Sequence, residues 1–318
     1  MLNILLIKTT SLGDVLHNLP VVTDLRQYMP EAHIDWIVEE SFADLPALHP
    51  GVRQIIPVAM RRWRRGWWQS RHEIRAACRL IRNGDYHLAL DTQGLLKSAI
   101  LAQCARTVRC GFSRDSAREP LASLLYDRAF SVPKNLHAVE RNRQLAGMAL
   151  GYVPQGAPNY GITAPALDLP WLPAAPFVVL LHATSRDDKL WPETDWVALG
   201  HRLREAGLIA MLPWGNESEH LRAQRLAAAI PDAHCAPRLD LREAATLLGR
   251  AQAVVGVDTG LSHLAAALNV PTIGIYTATD PGLTGLHAGP RAVNMGGKGK
   301  PPAVETVIDQ LGALGIHV

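Results

Sequence analysis

Short apolar runs alternate with segments of helical periodicity along most of the chain. Asn3 to Lys8 is a brief apolar run ending at a lysine, suited to a strand buried on both faces. From Asp14 to Met29, residues Val15, Leu16, Leu19, Val22 and Leu25 recur at helical spacing. His33 to Val38 and Arg53 to Val58 read as further strands, and Trp67 to Asn83 as a helix. Tyr86 to Leu90 reads as a strand that runs into Asp91-Thr92-Gln93-Gly94 and another helix. The stretch from Gly151 to Pro176 breaks the pattern with Pro154, Pro158, Pro165, Pro170, Pro173 and Pro176, and reads as an interdomain linker. Strand patterns resume at Phe177 to Leu181, Leu208 to Pro213, Ala253 to Val257 and Thr272 to Tyr276, with helices between, and Ala303 to Leu314 reads as a final helix. Alternation of this kind predicts an α/β protein with parallel sheets and crossover helices.

Ligands bind such sheets at the carboxyl ends of the strands, so the loops after strands are where chemistry is expected. The first, Lys8 to Asp14, lacks the GxxxxGK[ST] pattern of a phosphate loop. No GxGxxG occurs either, which removes the main support for a dinucleotide-dependent dehydrogenase. Asp14 reads either as a base for a substrate hydroxyl or as a helix cap. In the second loop, His182 to Pro192, Lys189 suits a departing diphosphate, or pairs with Asp187 or Asp188 on a solvated loop. In the third, Val257-Asp258-Thr259-Gly260-Leu261-Ser262-His263, a strand runs into a helix whose dipole and backbone amides favour a phosphate. Asp258 would repel that phosphate, so it is expected to brace the loop or to accept from a sugar or an ammonium group. After another strand, Glu219 reads as a contact to a nucleoside or as part of a helix cap. His137, His182 and His263 read as structural.

Composition refines the picture. The 318 residues, 48% of them hydrophobic and 19% charged, suffice for two domains with cores of their own. A net charge of only +3 argues against a nucleic-acid-binding polycation. The basic character is local: Arg61, Arg62, Arg64 and Arg65 stand beside Trp63, Trp67 and Trp68. That block reads as a contact to anions, sugars or a membrane surface, or as a solvated helix start. Cys78, Cys104, Cys110 and Cys235 show no metal-ligand spacing and are expected to be reduced and mostly buried. The apolar start is too short for a signal-peptide core, and no stretch approaches a membrane span.

Taken in order, Lys8-Thr9-Thr10-Ser11-Leu12-Gly13-Asp14-Val15-Leu16-His17, the arginines at 61 to 65, Asp91-Thr92-Gln93-Gly94, Ala117 to Ser123, His182 to Lys189, Leu212-Pro213-Trp214-Gly215 and Val257 to His263 resemble the heptosyltransferases of lipopolysaccharide synthesis, glycosyltransferase family 9. The resemblance covers nearly the whole chain. It implies a GT-B fold, two Rossmann-like domains with parallel sheets facing across a cleft. Residues 1–160 would bind the acceptor and 177–302 the donor, with the helix at 303–318 packing back on the first domain. The implied donor is ADP-L-glycero-D-manno-heptose and the implied acceptor the inner Kdo of Kdo2-lipid A. The reaction would invert the anomeric carbon, with no cofactor, no metal and no nucleic-acid partner, in the cytoplasm at the periphery of the inner membrane.

Carried over residue by residue, Asp14 matches the general base and Lys189 the lysine at the donor phosphates. Asp258, Thr259, Gly260, Leu261 and His263 match the donor loop, with Thr184 and Ser185 opposite, and Glu219 matches the acid at the ribose. Arg61, Arg62, Arg64 and Arg118 match basic positions toward the acceptor. The chain departs from the family at Thr277-Ala278-Thr279-Asp280-Pro281, where Gly-Pro usually precedes Thr-Asp-Pro. The arginine block favours an acidic Kdo acceptor over the heptose acceptor of a second heptosyltransferase. A nucleotide-sugar epimerase would leave that block unexplained, and a non-catalytic lipid A-binding protein would not need Asp14.

Overall fold

The computed structural model describes residues 1–318. The chain divides into two compact units, Met1–Ile162 and Thr163–Val318, and the division falls within the proline-rich stretch. The first unit holds β1 (Asn3–Ile7), β2 (His33–Glu39), β3 (Val52–Val58), β4 (Leu88–Asp91), β5 (Val108–Phe112) and β6 (Arg128–Phe130), all parallel, in the order β3-β2-β1-β4-β5-β6. The second holds β7 (Phe177–Leu181), β8 (Ile209–Leu212), β9 (His234–Cys235), β10 (Ala253–Val257), β11 (Thr272–Tyr276) and β12 (Ala292–Gly296), in the order β12-β11-β10-β7-β8-β9. Counted within each unit, both orders are 3-2-1-4-5-6, the doubly wound Rossmann arrangement.

The apolar runs become central strands because helices cover both faces of each sheet. Ile4, Leu5, Leu6 and Ile7 of β1 are fully buried, as are Val178, Val179 and Leu180 of β7. Buried ion pairs add specificity to the first unit. Arg53 forks onto Asp35 at 2.8 and 2.7 Å while the Tyr86 hydroxyl donates to the same carboxylate at 2.8 Å. Arg143 clasps Asp24 at 2.8 and 3.0 Å and donates to the carbonyls of Gln155 and Gly156, tying the start of the proline-rich stretch to the first unit.

Several expectations are corrected. The helix read from Asp14 to Met29 is two, Leu12–Leu16 and Leu19–Tyr28. Pro20 lies in the first turn of the second, the place where a residue without an N–H is tolerated. The helix read from Trp67 starts at Arg71. The final helix, Val304–Ala313, expected to pack on the first domain, belongs to the second unit's core. Val307, Ile308 and Leu311 join the second unit's core, around Trp191 and Trp196, and the Trp191 indole donates to the Pro302 carbonyl at 3.1 Å. Cys78 and Cys104, expected to be reduced, are joined as a disulfide with their Cα atoms 5.1 Å apart. The helices that carry them toward each other, Arg71–Arg82 and Leu96–Ala102, flank β4 in sequence and pack into one apolar cluster with Leu5, Ile7 and Ala89. No sequence spacing announces that proximity. Cys110 and Cys235 are free.

The place of the final helix has a direct consequence. Leu311→Ala should destabilise the second unit by about 2–5 kcal/mol, the usual effect of such a cavity. Denaturant unfolding followed by tryptophan fluorescence measures it, and an unchanged midpoint would mean that the helix is not part of that core.

Candidate active-site residues at the sheet switch points

In a 3-2-1-4-5-6 sheet the chain winds away in opposite senses from strands 1 and 4, and their carboxyl ends bound a crevice. In the first unit these ends belong to β1 and β4, which pair from Ile4↔Leu88 to Ile7↔Asp91. The loop after β4 is built on Asp91. Its buried carboxylate accepts from the Gln93 N–H at 2.8 Å, the Gly94 N–H at 3.3 Å and the Tyr126 hydroxyl at 2.8 Å. Gly94 supplies the positive φ (66°) that lets the chain turn there. Gln93 then reaches the loop after β1, where its Oε1 accepts from the N–H groups of Thr9 and Thr10 at 3.0 and 3.2 Å.

That second loop carries Asp14 at the third position of the helix Leu12–Leu16. The Ser11 N–H donates to its Oδ2 at 3.0 Å, completing a capping box with Ser11. Arg118 lies 3.4 Å from each carboxylate oxygen. Burial alone would raise the Asp14 pKa, but the charges of Lys8 and Arg118, with the Ser11 N–H, outweigh it and hold the carboxyl below its ordinary value. Asp14 thus makes a helix cap and remains an ionised carboxylate at the mouth of the sheet; the two readings of this residue are compatible.

Lys8, Gln93, Arg141 and Asn142 join Asp14 and Arg118 around one small cavity. Arg141 and Asn142 do not stand out in the sequence, and Lys8 and Gln93 do so only as parts of the motifs at 8–17 and 91–94. Lys8 reads as the end of a strand, and Arg141 and Asn142 lie on the helix Ala138–Leu150, which has no strong apolar periodicity to announce it. Lys8 Nζ donates to the Thr92 carbonyl at 2.7 Å and lies 3.4 Å from Asn142 Oδ1. Burial, only partly offset by Asp14, brings its pKa down to about 8.

The basic block forms the helix Met60–Arg65. Trp63 is buried and its indole donates to Glu73, whereas Trp67 and Trp68 are largely exposed. Arg62 is committed to Glu40 at 2.6 Å and Glu73 at 2.9 Å. Arg61 and Arg64 instead line an apolar groove of about 480 Å³ with Trp63, Trp67 and Lys97.

In the second unit the corresponding loops follow β7 and β10. Lys189 closes the first, and its ammonium meets Asp258 at 2.7 Å, not Asp187 or Asp188; Asp188 pairs with Arg186. Asp258 also accepts from the Thr279 hydroxyl at 2.8 Å. The Thr184 hydroxyl donates to the Asp258 carbonyl at 2.9 Å, while Ser185 is exposed on the same loop. Thr259 caps the helix Gly260–Ala267 without a side-chain hydrogen bond, so the first-turn amides of Gly260 and Leu261 face outward as an anion site requires. Ser262 donates to the Val257 carbonyl, and His263 is buried in the same helix. His182 is also buried, and burial brings its pKa down to about 4, leaving it neutral. Glu219 accepts from the Gly215 N–H at 2.7 Å and the Asn216 amide at 2.8 Å, closing the cap of the helix Glu217–Ala229. No cluster of His, Cys, Asp or Glu able to hold a metal ion is present.

Two doubly wound domains, each with charged loops at its switch point, are the architecture of the GT-B glycosyltransferases. Comparison with known proteins agrees: residues 74–307 match glycosyltransferase family 9 (heptosyltransferase). The chain is 48% identical to lipopolysaccharide heptosyltransferase 1 of Pseudomonas aeruginosa over 90% of its length and 81% of that protein's. It is similar to Escherichia coli heptosyltransferase WaaC with ADP, at 40% identity and a TM-score of 0.91, covering 98% of this chain and 100% of that one. WaaC with ADP-2-deoxy-2-fluoro heptose matches at 39% identity and a TM-score of 0.88, covering 98% and 99%. This chain therefore belongs to glycosyltransferase family 9, the heptosyltransferases, and is an enzyme of heptose transfer in lipopolysaccharide inner-core synthesis.

The buried lysine beside Asp14 gives a measurable titration. Its folded pKa lies below the unfolded value of 10.5, so protonated Lys8 weakens the fold below pH 8, and this penalty is relieved as the pH rises from about 8 toward 10.5. Side-chain NMR of the lysines should show one ammonium titrating near pH 8 that is absent in Lys8→Met. Uniform titration of all lysines near the ordinary value would contradict the burial argument.

Proposed function

We propose that this enzyme moves L-glycero-D-manno-heptose from ADP-heptose to the inner Kdo of Kdo2-lipid A, with inversion at the anomeric carbon. Asp14 is the general base. It accepts the proton of the acceptor hydroxyl as that oxygen bonds to the anomeric carbon, the bond to the diphosphate breaks, and ADP leaves with the electron pair. The observation that carries this reading is an ionised carboxylate at the β1 switch point, flanked by Lys8 and Arg118. A carboxylate of low pKa is a weak base, yet it suffices where the attacking hydroxyl becomes strongly acidic during bond formation. One carboxylate is enough because ADP, unlike an alcohol, needs no proton to leave.

On the donor side, Lys189 and the first-turn amides at Gly260 and Leu261 relieve the charge of the departing diphosphate. Asp258, Thr259, His263, Thr184 and Ser185 shape that pocket, and Glu219 stands at the ribose. The WaaC structures with ADP and with an ADP-fluoroheptose support an ADP-sugar donor. Arg61 and Arg64 face the acidic acceptor together with Arg118, while Arg62 holds their helix in place through Glu40 and Glu73. No helix is long and apolar enough to cross a membrane. The lipid-linked acceptor places the enzyme at the cytoplasmic face of the inner membrane as a peripheral protein.

Asp14→Asn should lower kcat by roughly a hundred- to ten-thousand-fold with ADP affinity unchanged, read by an ADP-release assay and calorimetry. Full turnover in that variant would remove Asp14 from the chemistry. Arg61→Ala and Arg64→Ala should raise the acceptor KM more than the donor KM, and equal effects on both would exclude an acceptor role. Preference for an already heptosylated acceptor over Kdo2-lipid A would instead mark a second heptosyltransferase.

A further inference from the structure

Two cysteines that the proposed chemistry does not use meet in the wall of the groove beside the arginine block. Cys78 lies in the helix Arg71–Arg82 and Cys104 just beyond the helix Leu96–Ala102. Their Cα atoms, 5.1 Å apart, are within the span of a disulfide, so the bond forms without rearranging the backbone. Both are half-buried, and both line the groove of about 480 Å³ with Arg61, Arg64, Trp67 and Lys97. A reagent in solution can therefore reach the bond. The two free cysteines are placed differently: burial pushes the thiols of Cys110 and Cys235 up and leaves them less reactive.

Disulfides are rare in a reducing cytoplasm, and those that occur there are mostly transient and redox-sensing. The cationic lining suits such a role. Arg61, Arg64 and Lys97 favour the thiolate that attacks or leaves, and they attract anionic thiols of the glutathione class. Arg71, Arg75, Arg79 and Arg82 add to that charge along one side of the helix that carries Cys78, at intervals of four, four and three residues. That helix is also poorly anchored. Only Ile81 of it is buried, and Ile74 and Ala77 pack at the margin of the neighbouring core. A helix that buries so little apolar surface depends on the cross-link for its position.

We propose that Cys78 and Cys104 form a reversible dithiol–disulfide pair that fixes or frees one wall of this groove. A small thiol attacks one sulfur as its thiolate, forming a mixed disulfide and releasing the other cysteine as a thiolate. A second thiol resolves the mixed disulfide. In sum, the protein disulfide takes up two electrons and two protons from two thiols, which leave joined as a disulfide, and glutathione disulfide drives the reverse. The bonded form presents the groove as described, with the helix Arg71–Arg82 held. The dithiol form lets that helix move away from Arg61 and Arg64. The effect on catalysis rests on the reading of Arg61 and Arg64 as acceptor contacts: a wall that must be ordered again weakens acceptor binding and leaves the donor loops of the second unit untouched.

The test holds the whole chain in glutathione buffers from reduced to oxidised and follows its free thiols by alkylation and peptide mass spectrometry. Cys78 and Cys104 should be alkylated together after reduction and protected together after oxidation, through repeated cycles. Trypsin should cut at Arg75, Arg79 and Arg82 faster in the dithiol form. The acceptor KM should be roughly twofold to tenfold higher there, the cost of ordering one mobile side chain, with donor KM and ADP affinity constant. Cys78→Ser and Cys104→Ser should hold the dithiol values in every buffer, and their unchanged ADP affinity shows that they fold. A bond that resists reduction in the folded enzyme, equal cleavage of the two forms, or serine variants that still follow the buffer would overturn the switch. Redox-dependent cleavage with an unchanged acceptor KM would leave the switch standing and count instead against Arg61 and Arg64 as acceptor contacts.

Discussion

The pairing of the two innermost strands in each sheet is the constraint on which the chemistry hangs. β1 lies between β2 and β4, and β7 between β8 and β10, so each is hydrogen-bonded on both edges and covered on both faces. A strand held on four sides cannot shift without opening the whole core. The loops leaving it inherit that rigidity. Ile7 pairs with Asp91 in the last register step of β1 and β4, and from there the two chains diverge into the loops that carry Asp14 and Gln93. In a reaction whose rate depends on holding a base within ångströms of one hydroxyl, loops anchored at such a point are better placed than loops on an edge strand.

Buried carboxylates in the first unit divide by what surrounds them. Asp35 and Asp24 each face one arginine fork and are matched charge for charge. Asp91 faces no cation at bonding distance; it accepts from backbone and Tyr126 donors, and burial raises its pKa. These three organise structure. Asp14 differs because the cations near it outnumber it and because Arg118 sits at 3.4 Å, looser than the 2.7 Å of Arg53 on Asp35. A loosely held carboxylate with excess positive charge nearby is free to exchange its partner for a substrate, which the tightly matched pairs are not.

The central strands were legible because burial on both faces forces continuous apolar runs, and the reactive loops because topology places ligands after such strands. Of the four edge strands only β3 was, and the inner strand β5 (Val108–Phe112) left no clear pattern either. β6 (Arg128–Phe130) and β9 (His234–Cys235) are too short and too exposed to leave a pattern, and β12 is only half-buried. The individual roles of arginines within a block were equally hidden. Arg61, Arg62 and Arg64 look alike in sequence, and only the position of Glu40 and Glu73 sets Arg62 apart. The acid that meets Lys189 was hidden for a similar reason. Asp187 and Asp188 are adjacent in the chain, but the parallel pairing of β7 and β10 brings Asp258 to it from 69 residues away.

The two units use one topology for opposite electrostatic ends. In the first, cations surround a carboxylate and keep it ionised; in the second, a carboxylate holds a cation. Asp258 accepts from Lys189 and Thr279 through the same oxygen, and its carbonyl accepts from Thr184. Asp258 thus fixes three neighbours, two through its carboxylate and one through its carbonyl. An ammonium has three N–H donors, and Asp258 takes one of those of Lys189, leaving the others for the diphosphate oxygens of the proposed donor. The pairing also prevents an uncompensated buried charge when no donor is bound. Thr279 adds a further hydroxyl to that carboxylate from the segment after β11. That brace comes from a different loop than the helix start at Gly260, to which the proposed function gives the diphosphate.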